Sequence, residues 1–316
     1  MALVDLRAEA PPPDWGVTVD SEAIARIAEQ WASDDMPLPE FAYPGTPNKR
    51  DEAWWFDYVT LSVSVLACLW PPEGDDMWQT RLHGQWLDDA PGIFAAFTDT
   101  LDRDGVPLDW YAELTPRQGA DLFRGRGTLQ LIPERSEQLR RVALTIRERW
   151  DGSVRNLVDE ADRNATRVAE LLTETMPGYQ DRPHTSAGTL PFDKLSHLAA
   201  AIMAAGVGWS FSGYEDFPVY PDYMLPRVFR HHRALVYTPE LAEKVDTRTV
   251  LAADSVAEHA IRWGTVYAGG QLLAALNQHG NPVTAPGLDY RLWSEAVLGP
   301  GADSFGEHHR TITMRY

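Results

Sequence analysis

The sequence has little cysteine, little positive charge and no long apolar run. Cys68 is the only cysteine in 316 residues, which excludes an intrachain disulfide and is typical of proteins from a reducing compartment. The most apolar stretch, 59–70, is too short to span a bilayer. The N-terminus also lacks the basic start and apolar run of a signal peptide. We therefore expect a cytoplasmic protein that does not act at a membrane.

The shortage of cations limits the partners that the protein can have. Asp and Glu number 46 against 28 Lys and Arg, which gives a formal net charge of −18. A surface with this balance repels the phosphates of nucleic acids, so we expect no nucleic-acid partner. A small anion can still bind wherever cations gather locally.

Several motifs that carry chemistry are missing. The sequence has no GxxxxGK[ST] phosphate loop, no strand-linked GxGxxG, no HExxH, no cysteine zinc cluster and no GxSxG elbow. The histidine pairs at 231–232 and 308–309 lack the i, i+4 spacing that turns two imidazoles toward one metal. We therefore expect no metal site and no cofactor, and the sequence gives no indication of the oligomeric state.

The pattern of turn and capping residues predicts a mainly α-helical protein. Asp, Ser or Thr followed by a helical pattern, and proline at a first helical position, mark helix starts along the chain. The predicted helices cover 21–32 after Asp20, 54–70, 91–105, a short helix after Thr115-Pro116, 134–150, 154–176 after Ser153, 192–206, 240–245 and 255–276 after Asp254. Between the first two helices, 34–51 reads as an irregular loop rich in proline.

The organisation predicted from this pattern is a single helical domain over 19–316. Residues 1–18, with three prolines at 11–13, are expected to form a flexible N-terminal arm. Only the last residues, 310–316, alternate like a strand, which predicts minor β structure at the C-terminus. No internal repeat occurs, so an array of protein-binding repeats is excluded.

One segment concentrates cations beside a single aspartate. The stretch 219–232 reads VYPDYMLPRVFRHH, and Arg233 follows it. Asp222 therefore lies between Pro221 and Tyr223, just ahead of three arginines and two histidines. In so acidic a protein, this arrangement needs a local explanation.

Together with other short segments, this stretch resembles the queuosine salvage family, the queuosine 5′-phosphate N-glycosylases. The family's central segment reads like Phe-Ala-Asp-Tyr-Arg-Leu-Pro-Gln, where this chain has 220–227. The other matching segments occur in the same order along nearly the whole chain: Asp57-Tyr58-Val59, Cys68-Leu69-Trp70, Gly105-Val106-Pro107, Ile132-Pro133-Glu134-Arg135, Phe192-Asp193-Lys194, Glu258 with Ile261-Arg262, Leu288-Asp289-Tyr290 with Leu292-Trp293, and His309-Arg310 to Tyr316.

The resemblance implies a fold, a reaction and a set of site residues. It implies the queuosine-salvage glycosylase fold, related to the helix-hairpin-helix DNA glycosylases, and release of queuine from a small nucleotide. Asp222 and Lys194 are then the candidate catalytic residues, with the Asp222 carboxylate stabilising the positive charge that develops at the anomeric carbon. The candidate substrate-binding residues are Tyr220, Tyr223 and Trp209 for a flat base. For a 5′-phosphate the candidates are Lys194, Arg262 and one of the cations after Pro226, such as Arg227 or His231.

The chain departs from the family pattern at several polar positions. The family's Asp and Asn before Phe-Cys-Phe-Trp fall near Val63 and Leu66, and an Asp and a Trp after the lysine fall at Ile202 and Ala204. Two alternatives therefore stay open: an N-glycosidase acting on another deazapurine or purine nucleotide or nucleoside, and a non-catalytic nucleotide-binding homologue.

Each candidate residue also has a structural interpretation. Asp222 can simply cap the helix that follows it, and Lys194 can be a solvated lysine in a first turn. Arg262 can pair with Glu258 at i−4. The run of cations from Arg227 to Arg233 is also typical of a solvated helix face, so we expect only one or two of them to meet a ligand.

Overall fold

The computed structural model describes residues 2–42, 44–48, 51–104, 108–280, 283–299 and 302–316. Within these residues the protein is mainly helical, as the sequence predicts. The helices are α1 Ser21–Trp31, α2 Glu52–Val63, α3 Asp89–Asp104, α4 Leu108–Ala112, α5 Pro116–Leu122, α6 Ile132–Arg149, α7 Val154–Glu160, α8 Ala165–Thr175, α9 Lys194–Gly206, α10 Leu225–His231, α11 Pro239–Asp246, α12 Val256–Gln278 and α13 Ala285–Val297. The strands are β1 Val17–Val19, β2 Gln79–Leu82, β3 Gln85–Asp88, β4 His184–Thr185, β5 Gly188–Thr189 and β6 Leu235–Tyr237.

The chain divides into two compact units. Unit 1 contains Met1–Pro39, Asp181–His197 and Gly213–Ile312, and unit 2 contains Glu40–Gln180, Leu198–Ser212 and Thr313–Tyr316. The chain therefore passes from one unit to the other five times, and α9 begins in unit 1 and continues in unit 2. Whether both units behave as the single domain expected over 19–316 stays a prediction.

Unit 1 is built around the long helix α12. Apolar side chains of α1, α10, α12 and α13 form one core, which includes Ile27, Phe229, Ile261 and Leu288. Strands β1 and β6 pair antiparallel with Val17 opposite Tyr237 and extend this core. These elements hold α10 and α12, and therefore the segments that carry Asp222 and Arg262, in fixed positions.

The N-terminal segment of unit 1 makes specific contacts. Val4 donates its backbone N–H to Thr189 (3.0 Å), and Val4 and Leu6 are buried in a small cluster with Phe192 and Trp263. Residues 17–19, at the end of the predicted arm, form β1. The arm thus carries core contacts in this structure, while its mobility stays a prediction.

Unit 2 is organised around a buried arginine of α6. The Arg135 side chain is fully buried and donates to the carbonyl oxygens of Gln130 (2.9 Å), Val65, Ala67 (2.6 Å) and Cys68 (3.1 Å). The carbonyls of Val65, Ala67 and Cys68 belong to irregular backbone after α2, and that of Gln130 belongs to the turn before α6, so no helix satisfies them. Arg135 therefore fixes the chain between α2 and the β2–β3 hairpin.

Local capping signals predict several helix starts correctly. The Asp20 side chain accepts the N–H groups of Glu22 (2.9 Å) and Ala23 (3.0 Å). Thr115 and Gln118 form a complete capping box at α5. Ser153 caps α7 by accepting the N–H of Arg155. Each of these bonds satisfies backbone donors that a helix leaves unpaired, so the local sequence is sufficient to place the start.

Four predicted features are wrong. The predicted helix 54–70 ends at Val63, seven residues early, because the following carbonyls bond to Arg135. The predicted helix 154–176 is broken, because Asp162 and Arg163 adopt positive φ (50° and 52°) and Asn164 starts α8. The cap of α12 is Ser255, since Asp254 has φ 63°. The C-terminal strand is absent from 310–316, where Arg310 makes only an isolated bridge with Val250.

Among the described residues, no helix combines the length and the apolar character that crossing a membrane requires. The segment Gly105-Val106-Pro107, which carries part of the family resemblance, lies outside the described residues.

Candidate active site

Asp222 lies in the turn that leads into α10. Its Oδ1 accepts the backbone N–H groups of Met224 (2.7 Å) and Leu225 (3.1 Å). The N-cap of α10 is Met224, so the predicted capping position of Asp222 is wrong, although its carboxylate still bonds to the backbone just ahead of the helix. The side chain is half-buried. Burial raises the pKa of Asp222 above its ordinary value, while the charge of Lys194 and the two N–H groups act in the opposite direction. The two backbone bonds thus orient the carboxylate without preventing a second role.

Lys194 is not a solvated surface lysine. It is the first residue of α9, yet it is only 5% exposed. Its positive charge lowers the pKa of both Asp222 and Asp289, so these three groups lie within electrostatic reach of one another. A buried ammonium beside carboxylates is strongly favoured, because an isolated buried charge is costly.

Asp289 is a site residue that sequence reasoning did not select. It lies on α13, is 8% exposed, and its Oδ1 accepts the backbone N–H of Tyr220 (2.7 Å), two residues before Asp222. Burial raises the pKa of Asp289 well above its ordinary value, and the negative charge of Asp222 raises it further. The only signal in the sequence was the Leu-Asp-Tyr segment of the resemblance, which gave the residue no role.

Burial and mutual repulsion affect the two carboxyl groups unequally. Burial raises the pKa of both Asp222 and Asp289, and it raises the pKa of Asp289 further. Two neighbouring carboxyl groups do not both ionise easily. Asp289 is therefore the group of this pair that favours the protonated form more strongly, and the charge of Lys194 opposes the rise in the pKa of both groups. Asp222, Lys194 and Asp289 thus form one electrostatic cluster.

Arg262 supports this cluster from within the protein. It is 0% exposed, and it donates to Asp181, to Glu258 (3.4 Å) and, through Nε, to the carbonyl oxygen of Pro221 (3.1 Å). Its guanidinium also lies 4.0 Å from the centre of the Phe192 ring. The pairing with Glu258 that the i−4 spacing suggested is confirmed. These contacts favour a positioning role for Arg262, in which it holds the backbone next to Asp222, over direct contact with a phosphate.

The first turn of α9 is fixed by a second buried ion pair. Asp193, immediately before Lys194, has φ 40° and accepts Arg182 Nε (2.5 Å) and the backbone N–H of Asp181 (3.1 Å). Asp181 in turn is the partner of Arg262. The two ion pairs therefore join the segments that carry Lys194 and Asp222.

The aromatic candidates in this region are both buried. Tyr220 and Tyr223 are 2% and 6% exposed, and the Tyr223 ring lies 4.9 Å from the His308 ring. Burial lowers the pKa of His308 to about 4, so its imidazole is neutral at physiological pH. The Tyr223 ring therefore contacts a neutral imidazole, on which the charges of Arg310, Arg227 and Glu307 act.

The three remaining substrate-binding candidates, Arg227, His231 and Trp209, lie in different parts of the structure. Arg227 is half-buried and donates to the carbonyl oxygen of Gly306 (3.0 Å). His231 is exposed and stacks on Phe305, with ring centres 4.1 Å apart. It ends α10, about 9 Å of helix rise from Leu225, so the structure does not bring it to the cluster. Trp209 belongs to unit 2, where its ring lies 6.4 Å from that of Phe41.

The apolar replacements at family polar positions are core residues of unit 2. Val63, Leu66, Ile202 and Ala204 are all buried. Their side chains therefore satisfy packing within that unit.

Among the residues that the structure describes, one group places three potential metal ligands close together, although no metal pattern is visible in the sequence. Ligand atoms of Asp254, Glu258 and His259 lie within 4.8 Å of one another. Glu258 already bonds to Arg262 and to the backbone N–H of Asp254 (2.7 Å). The spacing 254, 258, 259 matches no motif, which explains why the sequence did not suggest it.

Comparison with known proteins assigns the chain to a family. The family described as queuosine salvage protein matches residues 46–316. The chain belongs to this family. The match includes every residue of the cluster, and the resemblance inferred from the short segments is confirmed.

Relatives within the family cover most of the chain. It is 28% identical over 315 residues to a protein of Sphaerobacter thermophilus named queuosine 5′-phosphate N-glycosylase/hydrolase, covering 95% of this chain and 93% of that protein. A bovine protein with the same name is 25% identical over 307 residues, covering 89% and 88%. A third, from Dictyostelium discoideum, is 26% identical over 190 residues, covering 58% of each chain.

Proposed function

We propose that this protein hydrolyses the N-glycosidic bond of queuosine 5′-phosphate and releases queuine and ribose 5-phosphate for salvage. The names of its relatives supply the substrate. The observation that carries the proposal for this chain is the cluster of Asp222, Lys194 and Asp289, because it combines an oriented carboxylate with a second, more deeply buried carboxyl group and a buried ammonium. We also propose that the protein acts in the cytoplasm, on a small nucleotide and not on nucleic acid or membranes.

The proposed reaction replaces a carbon–nitrogen bond by a carbon–oxygen bond. The bond between the anomeric carbon and the base breaks, and its electron pair leaves with the base. Positive charge develops on the sugar, and the Asp222 carboxylate stabilises it. Water then adds its oxygen to the anomeric carbon and loses a proton, while the base gains one.

The base must leave without protonation at the usual purine nitrogen. In a 7-deazapurine that nitrogen is replaced by carbon, so departure depends on hydrogen-bond donors at other atoms. Asp289 is a candidate donor, since its raised pKa favours the protonated form, and Tyr220 and Tyr223 are candidates for the walls of a base site. The roles of Trp209 and His231 stay predictions.

The phosphate needs positive charge in an otherwise acidic protein. Lys194, whose charge acts on Asp222, and Arg227 on α10 are the candidates, because the Arg262 side chain is directed to Asp181, Glu258 and Pro221. A charge-assisted contact of this kind contributes about 1.5–3 kcal/mol. No metal or cofactor takes part in this proposal.

Release of product tests the proposal directly. Purified protein incubated with queuosine 5′-phosphate should form free queuine and ribose 5-phosphate, with turnover unchanged in the presence of a chelator. Asp222→Asn keeps an oxygen that can accept the N–H groups of Met224 and Leu225 but removes the charge, so turnover should fall by at least about a hundredfold. The exposed Asp216→Asn is the matched control and should keep full turnover.

Three results would contradict the proposal in different ways. Binding of the nucleotide without product would indicate a non-catalytic homologue. Release of a different base from a panel of nucleotides, with queuosine 5′-phosphate untouched, would indicate another substrate. A folded Asp222→Asn variant with near-normal turnover would remove Asp222 from the mechanism.

A further inference from the structure

Unit 2 contains a small cavity with aromatic walls. It measures about 110 Å³ and is lined by residues of α2, α3 and α4. Trp54 and Tyr58, one turn apart on α2, stack with ring centres 5.4 Å apart and 12° between their planes. Phe97 and Tyr111 form a second stacked pair at 5.8 Å and 16°. The cavity is therefore bordered by the faces and edges of flat rings.

A carboxylate without a cation faces this cavity. Asp57 is half-buried on α2 and lines the cavity. Its Oδ1 accepts the backbone N–H of Val154 (2.6 Å) and the hydroxyl of Ser153 (3.4 Å), which are neutral donors. Among the residues that the structure describes, no lysine, arginine or histidine forms an ion pair with it. Burial raises the pKa of Asp57 to about 6, so the group is still mostly ionised at neutral pH.

Capping of α7 explains only part of this arrangement. The bonds to Ser153 and Val154 both involve Oδ1, and they leave the charge of the carboxylate uncompensated. Buried charges in proteins are normally paired. The cavity beside Asp57 offers the space for a cationic partner, which the part of the chain that the structure describes does not supply.

We propose that this cavity binds a small aromatic molecule that carries a protonated amine. The ring occupies the space between the aromatic walls, and the ammonium donates to Asp57 and lies against the ring faces. The volume of about 110 Å³ is smaller than, though of the same order as, the roughly 150 Å³ of a cavity that binds benzene, so a single ring is the largest aromatic group to consider. A divalent metal is a poorer occupant, because a single carboxylate offers too few ligands. The proposal concerns unit 2 alone and does not depend on the proposed hydrolysis.

Benzylamine and benzyl alcohol are a matched pair of probes. They have the same ring and nearly the same shape, but only the amine is cationic. We expect calorimetry or ligand-observed NMR at pH 7.5 to show at least about tenfold tighter binding of benzylamine, the value of one charge-assisted contact. Equal binding of both probes, or binding of neither, would overturn the proposal.

The role of Asp57 is tested by a variant and by pH. Asp57→Asn keeps an acceptor for Val154 but removes the charge, so the preference for benzylamine should disappear. Asp151→Asn, an exposed aspartate, should leave it unchanged. In the wild type at pH 5, where about a tenth of Asp57 is ionised given a pKa of about 6, the preference should also fall several-fold. Because the pH experiment needs no variant, a preference that persists at pH 5 contradicts the proposal even if Asp57→Asn fails to fold.

Discussion

At the scale of single residues, the site depends on how burial and neighbouring charge divide the roles of similar groups. Asp222 and Asp289 are both aspartates, yet only Asp289 has a pKa raised well above the ordinary value. The difference comes from the deeper burial of Asp289 and from the distribution of hydrogen bonds and charge. Lys194 acts on both, so its removal should be visible in the pH dependence of the reaction.

Replacing Lys194 with Ala should move the acidic limb of the pH profile to higher pH. The ammonium lowers the pKa of Asp222, so its loss raises that pKa and Asp222 is protonated earlier as the pH falls. The measurement is kcat/KM against pH, with the exposed Lys244→Ala as control. If Lys194 also contacts the phosphate, preference for nucleotide over nucleoside should fall by about 10- to 100-fold. An unchanged limb would show that Lys194 does not act on Asp222.

His309 should contribute to loss of stability in acid. It is 2% exposed, and burial lowers its pKa from 6.5 to about 3. Between these values the unfolded chain binds a proton that the folded protein does not, so stability falls as the pH falls through this range. His309→Gln should reduce this slope by up to about 1.4 kcal/mol per pH unit. Urea unfolding from pH 7 to 4 measures it, with the exposed His279→Gln as control; equal slopes in wild type and His309→Gln would contradict the prediction.

At the scale of elements, several helices start at a local capping residue, whereas the end of α2 is set by hydrogen bonds from another helix to its backbone carbonyls. Near the end of helix α2, the hydroxyls of Thr60 and Ser62 donate to the backbone carbonyl oxygens four residues earlier (both 2.8 Å). Beyond Val63 the carbonyls turn toward Arg135 of α6. A side chain of α6 thereby satisfies the carbonyl oxygens that follow the end of α2.

Arg135→Lys should destabilise the protein although it keeps the charge. A planar guanidinium reaches four carbonyl oxygens, whereas an ammonium has three donors in a different geometry. Each buried carbonyl left without a donor costs about 1–3 kcal/mol, so we expect a loss of at least about 2 kcal/mol in the free energy of unfolding. Arg141→Lys, exposed on the same helix, should change it by less than about 0.5 kcal/mol. Denaturant titration compares the two variants, and a similar small loss in both would show that Arg135 is not an anchor.

At the scale of the whole molecule, the chain connects two compact units through five passages. Neither unit is continuous in sequence, and α9 contributes residues to both. Loss of one unit therefore releases chain ends and a helix that the other unit uses. This connectivity favours cooperative behaviour, as the predicted single domain requires.

Unfolding should occur in a single transition. Tryptophan fluorescence reports on both units, since Trp31 and Trp263 lie in unit 1 and Trp78 and Trp150 in unit 2. Denaturant curves from fluorescence and from far-ultraviolet circular dichroism should coincide. Trp263→Phe and Trp150→Phe, compared separately, should give the same midpoint by both probes within each variant. Two separated transitions would show that the units fold independently and would contradict the single domain.

The sequence by itself determined the helical class, most helix starts and the family. Caps such as Asp20, Thr115 and Ser153 act within one turn, so their information is local, and the family follows from the order of short segments. Only the tertiary structure decided which residues that are distant in the sequence come into contact. Asp289 reaches Tyr220 across 69 positions and Arg262 reaches Asp181 across 81, and no local pattern encodes such pairs. The tertiary structure also buries Lys194 and Asp289 close to Asp222, whereas His231 stays at the surface. Buried charges need partners, because an unpaired charge inside the protein costs more free energy than an exposed ion pair contributes.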